Sequence, residues 1–418
     1  MCVATVGLVV EIQGQRALVD FSGALREVSI ALLPQVKIDD HVMVHAGFAA
    51  EIVQDVSKLY REMVASDARA GQILDAIGER AKKFSDRQIR IMNFCGSHEH
   101  TTVQYGLREL LPANIELLSG PGCPVCVTAA EEIALGMEAV WKNDVTLTTF
   151  GDLVRVPTPW GSLAELRASG GDVRVVSDVQ QALRLARTGK KEVVHLAVGF
   201  ETTAPATAAA VVEAAAEVPS FSIISAHRVT PPAMRYILAN HAVEGVLCPG
   251  HVAMITGLGP FHAIFADFSK PYVICGFTPL DVLQGILLLL QQLAGLPVTR
   301  NQYAYAVREE GNTVARNLMN EAFSLTDAYW RHIDVLPASR LVLREKYQYF
   351  DAEYRFALQV PPVGKEKGRH CLCENILQGE NPRKCPHFAT GCTPAQPLGP
   401  CMVSREGACL ICYNKGRS

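Results

Sequence analysis

Ile115-Glu116-Leu117-Leu118-Ser119-Gly120-Pro121-Gly122-Cys123-Pro124-Val125-Cys126 runs from an apolar strand straight into a glycine- and proline-rich turn that carries two thiols. Residues 129–141 then bring apolar side chains back at helical spacing. This order of strand, turn and helix repeats along the middle of the chain. The strands it predicts are 89–94, 115–118, 146–149, 173–176, 193–198, 221–225, 245–247 and 272–275. Helices are predicted between them over 129–141, 179–187 and 205–216, and beyond them over 280–293 and 311–322. Apolar strands alternating with helices predict an α/β fold with parallel sheets covered on both faces. Eight strands suit one sheet or two subdomains.

The pattern changes at both ends. Residues 1–56 read as a small β-barrel, with short branched runs at 6–12, 16–21, 26–32 and 42–45. Gly14, Ser22-Gly23 and Asp39-Asp40 separate these runs as turns. Ile52, Val56, Leu59 and Met63, then Ile73, Leu74 and Ile77, predict helix over 49–84, with Ser66-Asp67 as a cap between two helices. The tail from about 361 holds seven cysteines within 42 residues and little apolar periodicity. A bound metal is expected to supply its stability. The resulting map is a small OB-like barrel (1–56), a helical linker (57–85), a parallel α/β region expected to form two subdomains (86–360) and a cysteine-rich domain (361–418).

Composition bounds what the protein does. The chain has 418 residues, 49% hydrophobic and 19% charged, with 39 Lys+Arg against 42 Asp+Glu and a net charge of -3. Length alone suggests about three domains. The near-neutral balance argues against a nucleic-acid or anionic-membrane partner, either of which wants a basic stripe. The most apolar run, 282–293, contains three glutamines and falls short of the ~20 residues of a membrane span. No basic segment precedes an apolar stretch at the start, so no signal peptide is expected. A reducing cytoplasm follows, where the 13 cysteines serve as ligands or redox groups rather than structural disulfides.

Ligands of open α/β sheets bind beyond the carboxyl ends of the strands. Reactive residues recur there: Cys95-Gly-Ser-His98-Glu-His100 after the first of the eight strands, Cys123 and Cys126 after the second, Gly199-Phe-Glu201-Thr202-Thr203 after the fifth and Cys248-Pro-Gly-His251 after the seventh. Two thiols at CxxC spacing close a disulfide or share one metal. Cys95 with His98 three residues on suits nucleophilic attack or soft-metal ligation, against a buried thiol beside a capping histidine. Glu201, Thr202 and Thr203 read first as caps of the following helix. Cys248 and Cys275 read as core thiols. In the tail, Cys371-x13-Cys385-x6-Cys392-x16-Cys409, with Cys373, Cys401 and Cys412 as extra thiols, suits an iron–sulfur cluster better than paired zinc knuckles. Cys2 becomes an N-terminal residue if Met1 is removed, with amine and thiol side by side.

From about residue 66 to 418 these motifs, in order, resemble the hydrogenase maturation factor family HypD. The carrying stretches are Cys95-Gly-Ser-His98, Ser119-Gly-Pro-Gly-Cys-Pro-Val-Cys-Val-Thr128, Thr149-Phe-Gly-Asp152, Gly199-Phe-Glu-Thr-Thr-Ala-Pro205, Pro249-Gly-His251, Trp330-Arg331, and Cys401-Met-Val-Ser404 through Glu406-Gly-Ala-Cys409. Met1-Cys2, Val19-Asp-Phe21 and Val44-His-Ala-Gly-Phe-Ala49 resemble the small partner family HypC. The resemblance implies a fusion that scaffolds assembly of the Fe(CN)2CO unit of [NiFe]-hydrogenase. It implies cyanide from HypE with HypF and delivery to the hydrogenase large subunit. By motif match, Cys2 and Cys95 hold the iron, with His45 contributing from the small module and His98 beside it. Cys123 and Cys126 form the thiol/disulfide pair, and Cys371, Cys385, Cys392 and Cys409 bind a [4Fe–4S] cluster. Cys373 and Cys401 are alternates, with Glu201, Thr202 and His251 supporting.

Three departures stand out. Val6 replaces the usual proline of the small module. Glu99 in Cys-Gly-Ser-His-Glu-His is expected to add a charge near the iron. Fusion also removes free exchange of the small module, so either the tether swings or a separate HypC-type carrier does that work. The rival readings are a stand-alone iron–sulfur-dependent thiol–disulfide reductase and a zinc-stabilised interaction protein.

Overall fold

The computed structural model describes residues 5–21, 24–45, 48–53, 64, 67–360 and 371–415. Five strands, β1 Thr5–Gln13, β2 Arg16–Phe21, β3 Ala24–Ser29, β4 His41–His45 and β5 Phe48–Ile52, close into a barrel in the order β1-β2-β3-β5-β4. Alternate residues point inward, so Val9, Ala17, Val19, Val28, Val42 and Ala49 fill its interior. Two expectations are corrected here. The third run is strand over Ala24–Ser29 rather than 26–32. The helix expected from residue 49 begins instead as β5, because the barrel needs a closing strand: Val44 pairs with Ala49 and Val42 with Ile52. Asp67 does cap the helix Ala68–Ala81, its carboxylate accepting from the backbone N–H groups of Arg69 and Ala70.

All eight strands expected in the middle region form: β6 Ile89–Asn93, β7 Ile115–Ser119, β8 Thr146–Thr149, β9 Val173–Val175, β10 Val193–Gly199, β11 Phe221–His227, β12 Gly245–Pro249 and β13 Tyr272–Cys275. They make two parallel four-stranded sheets, ordered β13-β12-β6-β7 and β11-β10-β8-β9. The chain starts the first sheet, leaves through the helix Ala130–Lys142 to build the second, and returns through the helix Thr230–Asn240. The apolar run near 282–293 is the helix Pro279–Leu293, whose Val282, Leu283, Ile286, Leu289 and Leu290 pack under the first sheet against Ile89, Ile91 and Leu247. No helix among the described residues is long and apolar enough to cross a membrane.

An antiparallel hairpin, β14 Phe323–Tyr329 with β15 Val335–Leu343, was not among the expected elements. Its face toward the second sheet is held by charge. Arg228 donates to Glu132 through both terminal nitrogens, at 2.9 and 2.7 Å, with both side chains almost fully buried. Arg340 on β15 lies 3.4 Å from the same carboxylate, donates to the Ser225 carbonyl at 2.7 Å and pairs with Glu353. Two buried charges and the half-buried Arg340 thus tie together the helix Ala130–Lys142, β11 and the hairpin.

The tail also departs from expectation. Ile376, Leu377, Met402, Val403 and Leu410 join the apolar cluster that contains Val127, Leu153 and Val198. Asp152, just after β8, accepts from the Ser404 hydroxyl at 3.0 Å and the Arg405 N–H at 2.8 Å. Apolar burial against the second sheet therefore holds the tail in addition to any metal.

Glu132→Gln leaves two buried guanidinium groups without their carboxylate. Denaturant unfolding is expected to show a loss of about 3–5 kcal/mol. Arg187→Gln, at an exposed pair with Glu213 and Glu217, is expected to change stability by less than about 1 kcal/mol. Equal effects of the two substitutions would refute the central role of the buried network.

Candidate functional site

The carboxyl ends of the two sheets enclose a cavity of about 450 Å³. Cys95, Gly122 and His251 line it from the first sheet, and Asp152, Ser177 and Thr202 from the second. This is the place at which open α/β sheets bind ligands.

Cys95 stands at the end of β6 as the N-cap of the helix Gly96–Gln104. Burial pushes its thiol up to about 11, and the Glu406 carboxylate adds to the shift. The backbone N–H groups of Ser97 and His98 and the Ser97 hydroxyl pull the other way. The loop after β7 crosses close beside it. The Gly96 N–H donates to the Gly122 carbonyl at 3.2 Å. A Cβ on Gly122 would stand 2.3 Å from the Cys95 nitrogen, and one on Gly96 would stand 2.6 Å from the Glu406 Cβ. Only glycine permits this crossing.

Cys123 and Cys126 are joined as a disulfide at the start of the short helix Pro124–Val127. The Cys126 N–H donates to the Cys123 sulfur at 3.2 Å. A second, smaller cavity is bounded by Gly96, Cys123, Cys126 and the tail residues Ile376, Leu377 and Ala408. The iron-candidate loop, the disulfide and the tail thus meet.

His98 is fully buried and does not line the larger cavity. Its Nε2 donates to the Gly276 carbonyl at 2.9 Å, which places the proton there and leaves Nδ1 as a lone pair without a hydrogen-bond partner. Burial lowers its pKa to about 4. Its ring stacks on Phe277 at 4.7 Å, and His251 stacks on the same Phe277 at 3.9 Å. His251 is the cavity-lining imidazole. Glu99 corrects another expectation: it turns into the protein, accepting from Arg108 at 2.8 Å and Asn93 at 3.2 Å. Its charge is neutralised there rather than aimed at Cys95.

Glu201 does not cap the helix that follows it. Buried, it accepts from the Thr230 N–H and hydroxyl, both at 2.8 Å, and so caps the return helix between the sheets. Burial raises its carboxyl to about 7. Thr202 lines the cavity. Cys248 and Cys275 are fully buried core thiols, as expected. Cys2 and the tether residues 54–63 lie outside the described residues, and so does the His45 side chain, whose backbone ends β4.

Cys371, Cys373, Cys385, Cys392 and Cys409 line one pocket in the tail. The Cys371 and Cys373 sulfurs are 2.9 Å apart. Cys401, fully buried, hydrogen-bonds with Cys373 and Cys409. Thiols donating from both Cys371 and Cys401 hold Cys373 well below the ordinary thiol value. Cys373 and Cys401 therefore lie within the same group of thiols. Among the described residues no three His, Cys, Asp or Glu side chains are already arranged around a single ion. Glu406, Asp152 and Phe277 had escaped assignment. The first two stood inside quoted motifs, but their meeting at the cavity arises from the tail folding back onto the second sheet. Enclosure and the Asp152 charge raise Glu406 to about 7.

Residues 68–416 match the HypD family, described as the hydrogenase formation hypA family, and residues 1–59 match the HupF/HypC family. The chain is 40% identical over 365 residues to the hydrogenase maturation factor HypD of Cupriavidus necator, covering 84% of this chain and 96% of that protein. It is 38% identical over 352 residues to HypD of Escherichia coli, covering 82% and 94% respectively. HypD of Azotobacter vinelandii is 40% identical over 344 residues, covering 79% and 90%.

Between about pH 4.5 and 7 folded Glu201 keeps a proton that the unfolded chain has released, so its contribution to stability falls as pH rises through that window. Glu201→Gln has no proton to lose. Buried His98, His195 and His227, lowered to about 4, 4 and 3, act oppositely but equally in both proteins. The stability difference, variant minus wild type, is expected to grow by on the order of 3 kcal/mol from pH 5 to 7.5. Parallel pH profiles in denaturant unfolding would contradict this.

Proposed function

Because this chain belongs to the HypD family and carries a HupF/HypC domain at its N-terminus, we propose that it is a [NiFe]-hydrogenase maturation scaffold on which the Fe(CN)2CO unit is assembled. The small barrel brings Cys2 to Cys95, and these two thiolates hold the iron, with His45 contributing from the barrel. Thiolates are soft ligands that suit low-valent iron bearing cyanide and carbonyl. Cyanide comes from HypE- and HypF-type partners, and the finished unit passes to the hydrogenase large subunit. Either the fused small module itself takes part in that delivery, or a separate HypC-type carrier performs it.

The observation that carries this reading is the meeting of three thiol groups. Cys95 abuts the loop that bears the Cys123–Cys126 disulfide. The tail that packs over this disulfide supplies the pocket lined by five cysteines. An all-thiol donor set fits a [4Fe–4S] cluster, with Cys385, Cys392 and Cys409 as ligands and the fourth from Cys371 or Cys373. Once bound, the cluster supplies single electrons next to the disulfide. Cys123 and Cys126 take two electrons and two protons in becoming two thiols, which places two potential nucleophiles at the smaller cavity. Ser97 donates to the Cys95 sulfur and offsets part of the upward push of burial, while buried His98 and Phe277 fix His251 at the wall.

Infrared spectroscopy of protein purified anaerobically after expression with its partners tests the scaffold. Cyanide and carbonyl bands are expected, lost in Cys2→Ala and in Cys95→Ala but with tail iron retained. Iron confined to the tail, with no such bands, would leave the thiol–disulfide reductase in its place, and zinc in the tail would favour an interaction protein.

A further inference from the structure

We propose that the loops enclosing the tail thiols, centred on Arg383 and Lys384, are the docking surface of an acidic protein that carries single electrons. The inference rests on the reading of the tail as a cluster site and deepens it by naming the class of electron donor.

The sequence between Glu380 and Glu406 contains no carboxylate, while it holds Arg383, Lys384, His387 and Arg405. The chain as a whole carries a net charge of -3, so this segment runs against the overall balance. Arg383, Lys384 and Arg405 are exposed. The segment is also compact: the Cys392 N–H donates to the His387 carbonyl at 2.7 Å, and the Cys385 N–H to the Pro382 carbonyl at 3.0 Å. Exposed Arg155 adds a fifth basic side chain, donating to the Pro394 carbonyl at 2.9 Å. The nearest carboxylate after β8, Asp152, is already engaged by the Ser404 hydroxyl and the Arg405 N–H. Glu374, on the other arm of the tail, lies toward Tyr236 and Asp334.

Arg383 and Lys384 stand beside the thiols, Arg383 hydrogen-bonding to Cys412. Lys384 directly precedes half-buried Cys385, which lines the five-cysteine pocket. A protein seated on Lys384 is therefore one residue from a candidate cluster ligand, and the pocket's other side leads to the disulfide. Electron-carrier encounters are small, transient and steered by complementary charge, which is the kind of contact a basic rim makes. Each reduced carrier gives one electron and leaves oxidised. Two encounters supply the two electrons that, with two protons from solvent, convert the Cys123–Cys126 disulfide to two thiols.

The test uses the full-length, cluster-loaded protein and a reduced acidic ferredoxin, followed by stopped-flow absorbance, with complex formation measured separately by calorimetry. The second-order rate is expected to fall as salt rises. Lys384→Glu with Arg155→Glu is expected to slow it at least about tenfold at low salt and to weaken ferredoxin binding. Photoreduction by uncharged deazariboflavin is expected to proceed alike in both proteins, which shows that the cluster and fold are intact. Equal, salt-independent ferredoxin rates in the two proteins would overturn the docking surface and leave the cluster reading standing. No reducible cluster in either protein would overturn the cluster reading beneath it. Unchanged ferredoxin rates with lost binding of an RNA oligonucleotide or anionic vesicles would assign the patch to another polyanion and overturn the proposal.

Discussion

Where the loops after β6 and β7 cross, the backbones come so near that no side chain fits between them. The Gly96 N–H reaches the Gly122 carbonyl, a Cβ on Gly122 would strike the Cys95 nitrogen, and a Cβ on Gly96 would strike Glu406. This contact sets Cys95 beside the Cys123–Cys126 disulfide and sets both under the returning tail. A methyl group at either glycine would push apart the three thiol groups on which the chemistry depends. Backbone rather than side-chain complementarity therefore holds the site together.

Around that crossing the protein manages charge by burial and pairing. Glu99 is cancelled by Arg108, and Glu132 by Arg228 and Arg340. His98 is kept neutral by burial and oriented by a carbonyl. Glu201 accepts from two neutral donors of Thr230 and has no ion pair among the described residues, so burial raises its pKa instead. These arrangements join elements far apart in sequence: Glu201 links the wall after β10 to the return helix, and Arg340 links the hairpin to the second sheet. Exposed basic side chains collect at the rim, on the carboxylate-free loops beside the tail thiols.

The strands were legible because parallel sheets bury both faces, and continuous runs such as Val193–Gly199 declare that burial directly. The β14–β15 hairpin was not, since most of β14 is solvent-facing and its attachment combines a few buried side chains, Phe323, Leu336 and Leu341, with the Arg340–Glu132 pair. β5 departs from the expected helix because only Ile52 of the helically spaced residues lies in it, and its pairing partner β4 is supplied by the barrel. The tail's apolar residues are too few to show a period, and they make a core only because the second sheet supplies the other half. His98 was legible as a site residue from its distance to Cys95 in sequence, whereas its burial behind Phe277, with His251 at the cavity, required the loop after β13 to be in place.

By itself the sequence determined the eight parallel strands of the middle region, the family and the thiols worth attention, because period, motif order and cysteine spacing are local properties of the chain. Tertiary structure decided that eight strands divide into two sheets and that Glu99 faces Arg108. It also brought Cys373 and Cys401 into the thiol group and laid the tail over the disulfide. Those outcomes depend on contacts between residues tens to hundreds of positions apart. Backbone clearance and charge compensation select among them only once the chain has folded back on itself.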